Sequence, residues 1–328
     1  WRIYIIKHVL QKISRLVVLI LASFTTVVAS AADVTLPDPN YAGGRALTHI
    51  LKVVAEQRLG LDVGVTRINS FPTIWKAMDA GKGDIDVNPE VWMPNQAGLV
   101  NEYVNEKGTV KLGTKPYKAI QGLCVTKMTA EKHGIKSVFD LISPENAKLF
   151  DTNGDGKGEL YIGPVGWLST NIEKVRARDY GYGENFELQV MEEAAAIANL
   201  DAAVTKNKPF VFQCYGPHMW FVKYELVVLD ETPHSADKWN MIQPSESSTW
   251  YEDSYVASAY GETFVYAAYS RSLDDRAPTF ARMVDNFAPT TQDVSQWVYE
   301  VGALGRDPQE MAEDWVANNA AKVDDWVK

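Results

Sequence analysis

Three observations predict an α/β protein of two lobes with a cleft between them. Short β-branched runs alternate with amphipathic helical stretches along residues 33–328, the pattern of parallel sheets flanked by helices. The roughly 296 residues involved suit two lobes better than one, given usual domain sizes. The alternation restarts after Lys115 and Pro116, and a late strand at Phe264–Tyr269 reads as a return to the first lobe. The first lobe then comprises residues 33–116 and 261–328, and the second comprises 117–260. A lobe interrupted by another needs two crossings, and two crossings make a hinge.

Residues 1–32 stand apart. Arg2, Lys7, Lys12 and Arg15 occur with no acid, then an apolar stretch from Leu16 to Val28, then Ala29, Ser30, Ala31 and Ala32. This is the order of a secretory signal peptide, with cleavage after Ala31 or Ala32. The competing reading is a membrane anchor, but the uncharged core is shorter than the roughly 20 apolar residues of a spanning helix. With no Cys at the cleavage site for a lipid anchor, a mature chain free in the periplasm is expected.

In the first lobe Val34–Leu36 reads as a strand. Arg45–Leu59 reads as a helix with Leu47, Ile50, Leu51 and Val54 on one face, closed by Gly60. Asp62–Arg67 is the next strand, Thr73–Ala80 the next helix, and Ile85–Asn88 a strand ending at Pro89. The second lobe offers strands at Gly122–Thr126, Leu160–Ile162, Glu187–Met191 and Phe210–Cys214. Its helices fall at Thr129–His133, Ser169–Arg178 and Ala194–Thr205. After the returning strand come helices at Ala277–Asn286, Thr291–Glu300 and Pro308–Val327.

Removing the leader with its four positive charges takes the formal net charge from -10 to -14. So acidic a chain is a poor partner for nucleic acid or anionic lipid. Cys124 and Cys214 are the only cysteines. An exported chain permits a bridge between them, but both lie in runs that read as buried strands, where free cysteines are common. The unbridged state is favoured and the bridge left open.

Three aromatics carry the functional signal. Trp92, Trp167 and Tyr215 each sit beside Gly or Pro at a strand end or tight turn, in V-N-P-E-V-W-M-P-N, Y-I-G-P-V-G-W-L-S-T and V-F-Q-C-Y-G-P-H-M-W. Converging ring faces would form a cage whose quadrupoles attract a quaternary ammonium ion, which points to binding a small methylated amine. Glu90, two residues before Trp92 on an extended segment, shares its face and could supply a complementary charge, with a solvated or Arg-paired carboxylate as the equal alternative. Gln121 and Ser169 are candidate hydrogen-bond donors to the ligand. His218 reads as a structural turn residue, and Trp75, on the helical stripe of Ile74, Ala77 and Met78, as core. Trp239 and Trp250 lie in a polar, insertion-like stretch and read as packing.

These segments, over essentially the whole mature chain, resemble the substrate-binding proteins of ABC importers for glycine betaine, proline betaine, choline and trimethylamine N-oxide. The resemblance rests on M-D-A-G-K-G-D-I-D-V-N-P-E-V-W-M-P-N, G-P-V-G-W and F-V-F-Q-C-Y-G-P-H-M-W-F in that order. It implies a two-lobe periplasmic-binding-protein fold of type II, acting as a monomer with a separate permease and ATPase. Trp92 and Trp167 match cage tryptophans of the family, and Tyr215 stands where many members have Trp. Trp220 aligns with a second aromatic after the P-H pair, one position late. Tyr41, in P-N-Y-A-G-G, sits where some members place a further cage aromatic. Tyr215 and the loop described next tilt the ligand choice toward the N-oxide.

That loop is D-T-N-G-D-G-K-G-E. Oxygens at Asp151, Asn153, Asp155, the Lys157 carbonyl and Glu159 reproduce the first nine positions of a calcium loop. Ile162 stands where the bidentate Glu of an EF-hand would be, and a bare Asp/Gly turn is the alternative. A calcium ion here would be structural and would fix the turn before Trp167. No cofactor for catalysis is expected. The competing functional class is a calcium-dependent secreted carbohydrate binder or hydrolase. Against it, the chain has no G-x-S-x-G, no H-E-x-x-H and no local triad signature.

Overall fold

The computed structural model describes residues 32–328. The segment read as a leader lies outside the described residues except for its last residue. No helix among the described residues is long and apolar enough to cross a membrane.

The chain opens with β1 (Val34–Asp38), α1 (Ala42–Val54) and β2 (Val63–Arg67), and β1 and β2 pair in parallel. Helix α1 buries Leu47, Ile50, Leu51 and Val54 and is prolonged by a wider turn, Ala55–Leu59, up to Gly60. α2 (Phe71–Ala80) follows, with Pro72 in its first turn, where a missing N–H costs nothing. β3 (Val87–Met93) does not end at Pro89 as predicted. Its ladder to β12 (Thr263–Ser270) slips there: Asn88 faces Ala268 and Val91 faces Tyr266. Pro89 and Glu90 together oppose Ala267, a bulge in which proline forfeits no ladder hydrogen bond.

β4 (Val110–Leu112), β5 (Tyr117–Thr126), β6 (Gly158–Gly163), β7 (Phe186–Val190), β8 (Val211–Gly216) and β9 (Leu226–Val228) complete a sheet in the order β3-β12-β5-β8-β6-β7, with β4 on β12 and β9 on β5. The sheet is mixed, and here the sequence reading needs correction. β6 is parallel to β7 and β8, but β12 runs antiparallel to β3, β4 and β5, and β5 antiparallel to β8 and β9. β5 carries the chain out and β12 brings it back beside β5, so neighbours must oppose. β5 is also longer than predicted: Tyr117 and Ala119 lie in one hydrophobic core, Leu123 and Val125 in another. The first core draws on residues before β5 and after the start of β12, and the second on residues between these strands.

Antiparallel pairing of β5 with β8 sets Gly122 opposite Cys214 and Cys124 opposite Phe212. The cysteines are therefore close neighbours on adjacent strands, Cα atoms 5.7 Å apart, and they are bridged. The favoured unbridged reading is corrected, because a pairing between residues 90 apart leaves no local mark.

Helix α3 (Leu168–Tyr180) borders the cleft, and α4 (Glu193–Thr205) packs behind it. The insertion-like stretch carries the short antiparallel pair β10 (Trp239–Asn240) and β11 (Tyr255–Val256) and packs on α3: Trp239 and Trp250 are half-buried against a cluster of Ile172, Val175, Val256 and Tyr260. Arg176, fully buried, ties it down through Glu173, Glu231 and the Ser258 carbonyl. The predicted last helix is two, Pro308–Asn318 and Ala320–Trp326, because the chain leaves helical geometry at Asn319.

Candidate ligand-binding site

Four rings converge between the two cores. Tyr41 follows β1 at the N-cap of α1. Gly44 makes room for it, since a Cβ there would fall 2.8 Å from Tyr41 Cζ. Trp92 stands near the end of β3, Tyr215 near the end of β8, and Trp167 at the N-cap of α3. The Trp167 turn is held by Thr170, whose hydroxyl donates to the Pro164 carbonyl at 2.8 Å.

The rings meet edge to face in a chain. Tyr41 and Trp167 have centroids 5.2 Å apart at 78°, Trp167 and Tyr215 5.5 Å at 76°, and Tyr215 and Trp92 5.4 Å at 85°. Each step turns by nearly a right angle, so the rings form walls of a box and do not stack. The space they border has about 400 Å³ of empty volume, part of it open to solvent. Phe71 and Leu168 add apolar surface; Asn95, Gln96, Gln121, Ser169 and Gln213 add amides and a hydroxyl, and no charged side chain lines it.

The amides are held to different degrees. Gln96 is held at three points: it accepts from Trp75 Nε1 at 2.7 Å and Asn88 Nδ2 at 3.1 Å, and donates to the Glu90 carbonyl at 2.8 Å. Asn95 and Gln121 donate to one another. Gln213 Oε1 and Trp167 Nε1 are buried without partners. No side chain caps α3, so its first turn offers free N–H groups where an anionic oxygen is favoured.

Two buried carboxylates stand behind the box. Glu90 accepts from the Tyr41 hydroxyl at 2.6 Å and does not line the cavity. Burial, aided by the charge of Glu193, pushes its carboxyl up to about 7, although hydrogen bonds from Tyr41 and Trp92 draw it back. Glu193 accepts from the Tyr215 hydroxyl. His218 Nε2 lies 3.3 Å from the same carboxylate but out of line for a hydrogen bond. Burial, then the neighbouring carboxylates, pushes the Tyr41 and Tyr215 hydroxyls well above their usual range, which keeps both as donors.

Of the predicted residues, Tyr41, Trp92, Trp167 and Tyr215 are brought together at the cavity, with Gln121 and Ser169 on its wall. Glu90 sits one layer back. Trp220 does not line the cavity and is corrected: it backs Tyr215, donating from Nε1 to the Tyr215 carbonyl at 3.2 Å and lying 3.6 Å from the His218 ring. His218 is buried in the turn, and Trp75 is core, stacked on Tyr103. Phe71, Asn95, Gln96, Gln213 and Glu193 were missed. Gln213 precedes Tyr215 by two on a strand, so the shared face could have revealed it.

The loop before β6 is folded on itself. Asp151 accepts from the N–H groups of Gly154 and Gly156, which hold its carboxyl below the usual range. Asn153 and Asp155 accept from the N–H groups of Asp155 and Lys157. Glu159 accepts from Thr152 N with one oxygen, and its other oxygen is buried and unpartnered. Among the described residues no group of three or more His, Cys, Asp or Glu side chains is already gathered around a metal position.

The sequence matches, over residues 32–318, the family described as the substrate binding domain of ABC-type glycine betaine transport systems. A glycine betaine-binding periplasmic protein of Dickeya dadantii is 29% identical over 136 residues, 42% of this chain and 41% of that protein. A glycine betaine/carnitine transport binding protein of Listeria monocytogenes is 28% identical over 144 residues, 44% of this chain and 40% of that one. The matches thus span about two fifths of these curated relatives. An ABC-transporter choline-binding protein in complex with choline superposes with a TM-score of 0.71 at 19% identity, covering 89% of this chain and 90% of that one. Lactococcal OpuAC, closed around glycine betaine, gives 0.67 at 21% identity over 90% and 99%. These superpositions establish the two-lobe α/β binding-protein fold.

Proposed function

The chain belongs to the family of substrate-binding domains of ABC-type glycine betaine transport systems, and from that premise we propose that it captures a small methylated amine between its lobes and hands it to a membrane permease driven by a separate ATPase. The observation that carries the reading is the box of Tyr41, Trp167, Tyr215 and Trp92, set at right angles. Such walls present ring faces to a trimethylammonium head from several sides, each worth about 0.5 to 2 kcal/mol. The ligand's oxygen, whether carboxylate, hydroxyl or N-oxide, goes to the uncapped start of α3, Ser169 and the amides. An alkylammonium that keeps its own N–H donors would leave them unpaired in the box and bind less well. The chain acts in the periplasm as a monomer. The lobes divide near residues 116 and 260 and close about the β5 and β12 crossings. The carbohydrate-binding or hydrolase alternative finds no support in the family match.

Calorimetric titration of ligand-stripped protein with trimethylamine N-oxide, glycine betaine and choline tests the proposal. Binding of one with micromolar affinity or better supports it, and silence with all three refutes it.

We further propose a structural calcium ion on the loop, with oxygens from Asp151, Asn153, Asp155, the Lys157 carbonyl and Glu159. The spacing and the unpartnered buried oxygen of Glu159 support it. The side-chain oxygens would exchange backbone N–H partners for the ion. A melting temperature raised by calcium and lowered by chelator is the expected result; identical melting in both refutes it.

A further inference from the structure

No charged side chain lines the box, and behind it each lobe sets a carboxyl group against a tyrosine hydroxyl in the same design. On the β1 and β3 side, Tyr41 faces the cavity and its hydroxyl ends on Glu90. On the β8 side, Tyr215 faces the cavity and its hydroxyl ends on Glu193. Glu193 is 4% exposed at the first position of α4, and His218 Nε2 approaches it from the G-P-H turn. Neither carboxylate borders the cavity, and no cationic side chain does.

We propose that Glu193 is a positioning and charge-supplying residue for the ligand, acting through the Tyr215 hydroxyl as Glu90 acts through Tyr41. A phenol that donates to a carboxylate is polarised toward its ring, which makes the face seen by an ammonium more negative. The same bond fixes the ring's rotation, so the wall is set before the ligand arrives. Glu193 also adds direct attraction across the ring. Tyrosine suits this position because an indole there would point no hydroxyl at the acid. The selectivity that follows is for positive charge at the methylated centre, over and above its shape.

The inference rests on the methylated-amine reading, and its test separates the two. Glu193→Gln keeps the shape and can still accept from Tyr215 but removes the charge. The probes are pairs that differ only in that charge: choline with 3,3-dimethylbutan-1-ol, and glycine betaine with 3,3-dimethylbutanoate. One charge about 8 Å away at an effective dielectric constant of about 20 predicts a roughly ten- to thirtyfold fall in the affinity ratio of ammonium ligand to carbon isostere. Tyr215→Phe lowers the ratio as well, and the double variant loses no more than the worse single one. Should E193Q fail to fold, as judged by melting, Tyr215→Phe alone reads the same ratio. Equal losses for ligand and isostere, or an unchanged ratio in a folded variant, overturn the inference while the functional reading stands. Absence of binding by the unaltered protein to any methylated amine overturns both.

Discussion

Trp167 sits at the middle of the ring chain, and replacing it by alanine is the most informative single change. The ring is 6% exposed and touches both Tyr41 and Tyr215 edge to face. Its loss removes one cation-π face, about 0.5 to 2 kcal/mol. It also releases two ring contacts of about 0.5 to 1.5 kcal/mol each that hold the neighbours in place. Part of the second term is lost in free and bound protein alike. A net loss of about 2 to 4 kcal/mol follows, or roughly 30- to 900-fold in Kd. Calorimetric titration of Trp167→Ala against the ligand that the unaltered protein binds best supplies the number, and Trp167→Phe, which keeps a ring face, should fall between. Thermal melting checks that the variant is folded. A folded Trp167→Ala within threefold of the unaltered protein would refute the cage.

Three further perturbations follow from the same geometry. Because burial raises the Glu90 carboxyl to about 7, a cation in the box favours its ionised form. Binding therefore releases a proton, and affinity falls as pH drops below about 7, by at most about tenfold per unit; Glu90→Gln should flatten the profile. The ligand-free protein shows the opposite trend: a carboxyl raised on folding to about 7 gives stability that is full below the ordinary carboxyl range and lost as pH rises through about 7. Melting against pH, with and without Glu90→Gln, checks that sign. Gly166→Ala places a Cβ 3.0 Å from the Asn69 carbonyl at a backbone φ of +94°, a strain of about 1 to 3 kcal/mol. It should weaken binding about tenfold or more, and a Kd equal to that of the unaltered protein would deny that this turn bears on closure. Arg176→Met leaves Glu173 and Glu231 without their buried partner. It should destabilise the fold by about 3 to 5 kcal/mol, read by denaturant melting, and a loss under about 1 kcal/mol would mean that solvent reaches the cluster.

How far the sequence spoke depended on how local the cause was. Gly60 marked a helix end because it holds a positive φ itself, and the stripe of Leu47, Ile50, Leu51 and Val54 exposed the inner face of α1 without reference to anything distant. Trp92, Trp167 and Tyr215 were legible because the Gly and Pro beside them announce turns. Pairings across the chain left no such trace. Cys124 with Cys214, Tyr215 with Glu193 and Gln96 with Trp75 exist because strands and helices far apart in sequence are brought together. The Pro89 bulge misled for a related reason: proline usually ends a strand, but here the irregularity in β12's register accommodates it. Trp220 looked like a second wall because it follows the P-H pair, yet the turn directs its ring behind Tyr215.

A protein with ten tryptophans ordinarily emits a blurred average of many environments. Among the described residues only Trp92 and Trp167 border the cavity. On the proposed division into lobes, the Tyr41 to Trp167 and Tyr215 to Trp92 contacts join opposite sides of the cleft, whereas Trp167 and Tyr215 share one side. Parting the two sides would break the first two contacts and spare the third, exposing both indoles to water together. The box therefore doubles as an optical gauge: its ultraviolet emission should shift toward longer wavelengths as the cleft parts and return as it shuts, with no dye attached.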